Sequence, residues 1–345
     1  MERKTITPNG DMELADYPAR MDDGWLNIGW LITKHCNLGC PYCVGFKLKG
    51  QHPTSLLDTL SPSDLADRFA RIREDNGREI YLTISGGEPS YVPLLPEFAG
   101  ELTKRKITVE LHTNFTLADQ IQSFMEHTNP AYVAQFMATY HRWAHKSQPE
   151  LRDTYFSLCQ EAVTRGYLPV CKVMVMPGKV AEFFEEEVPF LRDHLPDEVP
   201  ILPWGFIMKA PKSQDDYGGA YPYSYSEEEH ALLDEHTRVR GAAGMWYRRG
   251  AGWHYKMPCA AGANFAYMNT EGAVWRCFGH GTSGGKSLGN LEEGVVLNGG
   301  PEPCPYRYCG TPYWALWFGE SPWENIKGAT KEDFWFCKYG PGRVE

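Results

Sequence analysis

Three cysteines lie close together in Ile32-Thr33-Lys34-His35-Cys36-Asn37-Leu38-Gly39-Cys40-Pro41-Tyr42-Cys43, with the spacing Cys-x3-Cys-x2-Cys. Three thiolates on one loop can hold one small inorganic centre. A structural zinc site closes with four ligands, whereas three thiolates on a four-iron cluster leave one iron open to a small ligand. Two blander readings share the spacing: half of a zinc site completed from elsewhere, and buried thiols. A second stretch, Thr83-Ile84-Ser85-Gly86-Gly87-Glu88-Pro89, ends another apolar run. Two residues without side chains let a backbone edge close on a ligand, and Glu88 offers a carboxylate to its cationic end. An amino-acid-like ligand suits both halves.

The triplet Cys36/Cys40/Cys43 with Tyr42 before the last cysteine, followed by Gly86-Gly87-Glu88-Pro89, resembles the radical S-adenosylmethionine (radical SAM) superfamily. The resemblance implies that Cys36, Cys40 and Cys43 hold a [4Fe-4S] cluster whose open iron binds the amino and carboxylate groups of S-adenosylmethionine. It implies reductive cleavage to a 5'-deoxyadenosyl radical that takes a hydrogen atom from a substrate. It further implies that Tyr42 lies against the adenine and that Gly86, Gly87 and Glu88 bind the methionine amino group. An external electron donor such as flavodoxin or ferredoxin would supply the electron.

The elements that must position these motifs follow a strand-helix alternation, the sign of a parallel sheet with helices outside it. Strands are expected at 25–33, 79–85, 107–113, 132–140, 169–176 and 199–207. Helices are expected at 61–74, 94–104, 117–127, 149–166 and 181–194. Ser61-Pro62-Ser63-Asp64 opens the first helix with a capping serine, proline at the first helical position and an acidic residue after it. The cysteine loop then follows the carboxyl end of the first strand and Gly86-Gly87-Glu88 the end of the second, where an α/β barrel carries its active site. Six strands agree with the partial (β/α)6 barrel that the resemblance implies. The expected organisation is a lead-in over 1–24, the partial barrel over 25–208, a connecting loop and helix over 209–254 and a small cysteine-rich α+β domain with a β-hairpin over 255–345.

Further candidates lie at strand ends. His112-Thr113-Asn114 ends the third strand and Thr139-Tyr140-His141 the fourth, so Asn114 and Thr139 join the cofactor-binding candidates. Lys172 and Met174 lie within the fifth strand. Cys159, in a helical pattern, and Cys171, in an apolar strand, read as core thiols. The loop over 210–225 reads either as a wall beside the barrel mouth or as a plain connector.

A second cysteine set closes the chain. Cys259 precedes Gly272-Ala273-Val274-Trp275-Arg276-Cys277, and Cys304 and Cys309 follow. Met268-Asn269-Thr270-Glu271-Gly272 reads as a hairpin turn that brings Cys259 and Cys277 together, with Cys304 and Cys309 closing a four-thiolate site. The arrangement resembles the Twitch domain, a shorter relative of the SPASM domain, and implies one auxiliary [4Fe-4S] cluster. Zinc is the alternative at the same thiolates. Cys337 is left over, and Cys337, His280 and Lys172 are the candidate catalytic side chains. The aromatic tail with Trp314, Trp317, Phe318, Trp323, Phe334, Trp335 and Phe336 reads as the packing of a small domain.

The 345 residues carry ten cysteines, a net charge of -10, 42% hydrophobic and 23% charged residues. That composition is of a folded soluble chain, and the cysteines point to metal ligation in a reducing compartment. The charged start Met1-Glu2-Arg3-Lys4 leads into no signal-peptide core, and no segment has the apolar length of a membrane span. The reading is a cytoplasmic protein with neither membrane nor duplex nucleic acid as partner. The expected function is hydrogen-atom abstraction in a tailoring reaction on a small biosynthetic molecule, because the lead-in is too short for a leader-binding domain of roughly 50 residues. The alternatives are modification of a ribosomally made peptide and a non-catalytic iron-sulfur or zinc protein.

Overall fold

The computed structural model describes residues 24–40, 43, 55–205, 225–236 and 258–305. Six strands, β1 (Trp25–Thr33), β2 (Glu79–Gly86), β3 (Thr108–Thr113), β4 (Val133–Tyr140), β5 (Pro169–Val175) and β6 (Ile201–Gly205), run parallel in sequence order. Between them lie α1 (Pro62–Asn76), α2 (Leu95–Lys104), α3 (Ala118–His127), α4 (Arg142–Ser147), α5 (Pro149–Thr164), α6 (Val180–Glu182) and α7 (Val188–His194). This is the expected partial (β/α)6 barrel, open rather than closed. Two local expectations need correction. The helix expected over 181–194 is interrupted by a π-helical turn at Phe183–Glu187, and the short α4 lay unseen before Pro149. Six residues are too few for a periodic signal.

Local chemistry explains the helix ends. Ser61 Oγ accepts the Asp64 amide at 3.1 Å, Pro62 fills the first helical position, and Gly77 closes α1 in the left-handed conformation at φ 60°. Leu65, Ala66, Phe69 and Ile72 form the buried stripe of α1. Phe69, Trp30 of β1 and Phe98 of α2 meet one another with ring centroids 5.6–6.0 Å apart, all three fully buried. Each of these rings contributes about 2–3 kcal/mol by burial alone. Even-numbered residues of β1 (Leu26, Ile28, Trp30, Ile32) therefore face the helices, and odd-numbered residues face the barrel interior.

The C-terminal strands extend the same sheet. β8 (Phe265–Met268) pairs parallel with β1, and β9 (Ala273–Trp275), β10 (Ser287–Asn290) and β11 (Gly294–Val295) continue antiparallel, giving the order β11-β10-β9-β8-β1-β2-β3-β4-β5-β6. The turn between β8 and β9 falls where the sequence places it, with Gly272 at φ 81°. Trp30 Nε1 donates to Asn269 O at 3.1 Å, and Arg78 Nη1 donates to Ala263 O and Asn264 Oδ1 at 2.7 and 2.6 Å. These bonds fix the hairpin against β1. A separate ribbon pairs β7 (Pro258–Cys259) with β12 (Glu302–Pro303). A helix at Glu227–His236, α8, lies within the expected connector. Among the described residues no helix is long and apolar enough to cross a membrane.

The lead-in before residue 24, most of the 210–225 loop, Tyr42, Cys309, Cys337 and the aromatic tail lie outside the described residues.

Candidate functional site

The two motifs meet because β1 and β2 are neighbours and the pairing runs past both strand ends. A bulge between Leu31 and Thr33 shifts the register, so that Thr33 faces Gly86. The Gly87 amide donates to Thr33 O at 2.8 Å and the Glu88 amide to His35 O at 2.7 Å. A Cβ on Gly86 would lie 2.3 Å from Thr33 O, and one on Gly87 1.9 Å from His35 O. Both glycines are therefore demanded by the chain of the cysteine loop itself, with Gly86 also at φ 143°. The sequence reading assigned that freedom to a ligand; the structure spends it on holding Cys36 beside the end of β2.

Glu88 is 1% exposed, and its carboxylate is occupied from within. Oε1 accepts from the Ser90 amide (3.0 Å), Ser90 Oγ (2.6 Å) and Thr113 Oγ1 (2.7 Å), and Oε2 accepts from the Asn114 amide (2.7 Å). Burial raises its pKa while these four bonds pull the other way. Asn114 is likewise engaged: its Nδ2 donates to Asn37 Oδ1 at 2.9 Å, and its Oδ1 accepts from the amide and hydroxyl of Thr116. Asn37 Nδ2 closes the web on Thr116 Oγ1 at 2.7 Å. Asn37 sits between the first two cysteines, so this web ties the cysteine loop to the end of β3.

Cys40, Cys43 and Glu88 all lie within electrostatic reach of Cys36. Burial pushes the Cys36 thiol up to about 12, opposed by the Leu38 amide, which donates to its sulfur at 3.4 Å. The Cys43 amide bonds Cys40 O at 3.1 Å, and Cys40 Sγ lies 3.5 Å from His141 Nδ1. Burial lowers the His141 pKa to about 3, so its ring is neutral.

In the second set, Arg276 is 5% exposed and donates to Glu302 Oε2 (2.8 Å), Glu302 O (3.2 Å) and Cys259 O (3.2 Å). It clamps the β7-β12 ribbon and brings Cys259, Cys277 and Cys304 within reach of one another. The Cys259 thiol is pushed up to about 11 by burial, against a bond from the Ala261 amide. Cys277 is raised by burial against amides of His280 and Gly279. His280, in the short helix α9 (Phe278–Ser283), packs its ring against Gly285, whose Cβ would come 2.1 Å from Nδ1.

Among the described residues no three His, Cys, Asp or Glu side chains close on a single metal ion. A single ion needs such closure, whereas a four-iron cubane spreads its thiolate ligands more widely. The donor chemistry fits a cluster: thiols grouped in threes, with backbone N–H groups aimed at the sulfurs of Cys36, Cys259 and Cys277. Cys159 and Cys171 are fully buried in the core.

The inner face of the sheet carries polar groups that sequence reading did not connect. Glu110 on β3 is 2% exposed; Oε2 accepts from Tyr81 OH (2.8 Å) and Thr83 Oγ1 (3.1 Å), and Oε1 from His112 Nε2 (2.9 Å) and Gln135 Nε2 (2.8 Å). Burial alone would raise its pKa, but His112, Gln135 and Tyr81 bring it down to about 2. Lys172, paired in register with Thr139, has its pKa lowered to about 8 by burial, with Glu110 opposing. The signal was available as the alternation Thr108-Val109-Glu110-Leu111-His112, polar at every second position.

The family model described as the Radical SAM superfamily matches residues 30–176. Streptococcus suis SuiB bound to S-adenosylmethionine superposes with a TM-score of 0.52 at 14% identity, over 78% of this chain and 62% of SuiB. SuiB bound to precursor peptide SuiA superposes with a TM-score of 0.53 at 14% identity, over 89% of this chain and 67% of that one. For anSMEcpe with bound AdoMet the TM-score is 0.49 at 14% identity, over 78% of this chain and 75% of that one. The chain thus spans about two thirds of the length of SuiB, and at such identity the likeness is one of fold. No curated protein matches the chain.

Proposed function

Since residues 30–176 match the Radical SAM superfamily model, we propose that the chain is a radical SAM enzyme that cleaves S-adenosylmethionine and abstracts a hydrogen atom from a substrate. The observation that carries it is the pair of bonds from Gly87 and Glu88 to Thr33 and His35, which locks the cysteine loop to the Gly-Gly-Glu end of β2. Cys36, Cys40 and Cys43 would hold a [4Fe-4S] cluster, which when bound supplies the electron for cleavage. Glu88, Asn114 and Asn37 hold the loop ends in register, so that the cofactor meets a preformed edge. Gly86, Gly87, Tyr42 and Thr139 complete the S-adenosylmethionine site. Cys259, Cys277, Cys304 and Cys309 hold an auxiliary [4Fe-4S] cluster in a Twitch-like segment over 255–345, with Arg276 bracing it.

The substrate reading is a peptide. Its support is the fold shared, over 89% of this chain, with a protein whose structure holds a precursor peptide. A small biosynthetic molecule is the second reading, supported by the polar, partly enclosed inner face around Glu110, His112 and Lys172.

Anaerobic reconstitution tests the assignment. About eight irons per chain are expected in the wild type and about four in the Cys36/Cys40/Cys43 triple alanine variant. 5'-Deoxyadenosine should form only with the wild type. Four irons in the wild type and none in the variant would remove the auxiliary cluster, and zinc in place of iron at the second set would do the same.

A further inference from the structure

His112 and Glu110 stand two residues apart on β3 and share the face of the sheet turned away from the helices. The carboxylate is ionised, with its pKa down at about 2, and it is surrounded by donors: Tyr81 and Thr83 from β2, Gln135 from β4 and His112 from its own strand, with Lys172 of β5 within electrostatic reach. An ionised carboxylate only accepts, so the proton on the His112-Glu110 bond belongs to Nε2. That makes Nε2 the donor in this bond and leaves Nδ1 as the nitrogen turned to other groups. The side chain is 30% exposed, and among the described residues no other group bonds the ring. Immediately beyond it, Thr113 and Asn114 join the web that ends at the cysteine loop. An imidazole bonded through Nε2 to a buried carboxylate, with its other ring nitrogen unbonded among the described residues, is the arrangement of a general base.

We propose that His112 is a catalytic base on the inner face of the sheet, oriented by Glu110, and that the substrate presents an O–H or N–H to its Nδ1. The substrate's O–H or N–H bond breaks, its electron pair stays on oxygen or nitrogen, and a bond forms from the proton to Nδ1. No electron is exchanged in this step. The positive ring is then balanced by the Glu110 carboxylate 2.9 Å away. Glu110 is a positioning residue, itself held by Tyr81, Thr83 and Gln135. The need for a base rests on the radical reading above; the tautomer does not.

The test uses full-length protein labelled with 15N-histidine and two-bond 1H–15N correlation spectra at neutral pH. His112 is expected as a single Nε2–H tautomer, and Glu110→Gln, whose amide can both donate and accept, is expected to lose that single form. In parallel, diethyl pyrocarbonate should carbethoxylate His112 while leaving the fully buried His145 untouched. A wild-type Nδ1–H tautomer, or a His112 that resists the reagent while exposed His127 reacts, overturns the proposal, and neither result depends on the variant folding. Failure of the wild type to form 5'-deoxyadenosine when fully loaded with iron would overturn the radical reading, and with it the need for a base, even with the tautomer as expected.

Discussion

Glu88 Oε2 accepts the backbone amide of Asn114 at 2.7 Å, joining the ends of β2 and β3 through a carboxylate that is almost completely buried. A motif carboxylate that a ligand was expected to use is thereby the rivet between two strand ends. This edge is stiff because its acidic residue is already bonded on both oxygens.

Replacing this carboxylate should cost stability before it costs binding. In Glu88→Gln one acceptor oxygen becomes a donor facing the Asn114 amide or the Ser90 and Thr113 hydroxyls. A loss of about 2–3 kcal/mol is expected from the donors left unsatisfied. Urea denaturation of the metal-free protein reads it, and a loss below about 0.5 kcal/mol would show that the network carries little of the fold.

Gly87→Ala is expected to separate the cysteine loop from β2, since its Cβ would lie 1.9 Å from His35 O. A cost of about 2–4 kcal/mol and loss of S-adenosylmethionine binding are expected. Gly77→Ala is the control: its Cβ meets nothing within 4 Å, so only the strain of φ 60° remains, about 1 kcal/mol. Similar melting temperatures for the two variants would refute the account.

Glu110 gives a pH signature. Its folded pKa, about 2, lies below the ordinary value of 4.5, so the unfolded chain binds the proton more readily. Its contribution is complete above pH 4.5 and is lost as pH falls from 4.5 towards 2, amounting to about 3 kcal/mol. The stability difference between wild type and Glu110→Gln should shrink across that window. A difference that stays constant would mean that the carboxylate is not held ionised by His112, Gln135 and Tyr81.

Arg276 should matter for metal retention in the second cysteine set. Arg276→Met removes the fork that bonds Glu302 and Cys259 O, and Arg276→Lys cannot restore both bonds. Both variants are expected to lose about four irons after desalting while the Cys36 set keeps its own. Full iron content in Arg276→Met would show that the ribbon holds its cysteines without the clamp.

Much of this site was legible because its signals are local. The Cys-x3-Cys-x2-Cys spacing, the Gly-Gly-Glu-Pro run and the capping Ser61-Pro62 are encoded within a few residues. The hairpin turn at 269–272 is another such signal, and all of them sit where the sequence places them. Period-two and helical patterns likewise gave the order of the six strands, because burial on one face writes itself into the chain.

Other features needed the pairing of distant segments. That Gly86 and Gly87 are required by Thr33 and His35 depends on the bulge in β1, which shifts the register where the cysteine loop departs. That Tyr81, Thr83, Glu110, His112 and Gln135 form one network depends on Thr83, Glu110 and Gln135 facing each other across three strands. The C-terminal hairpin reads as a separate small domain, yet β8 joins the edge of β1. The sequence by itself determined which residues can do chemistry and which elements carry them, since spacing and periodicity are properties of neighbours along the chain. Only the tertiary structure decided which of those residues are spent on each other and which face outward, because strand register brings together side chains that no local pattern links.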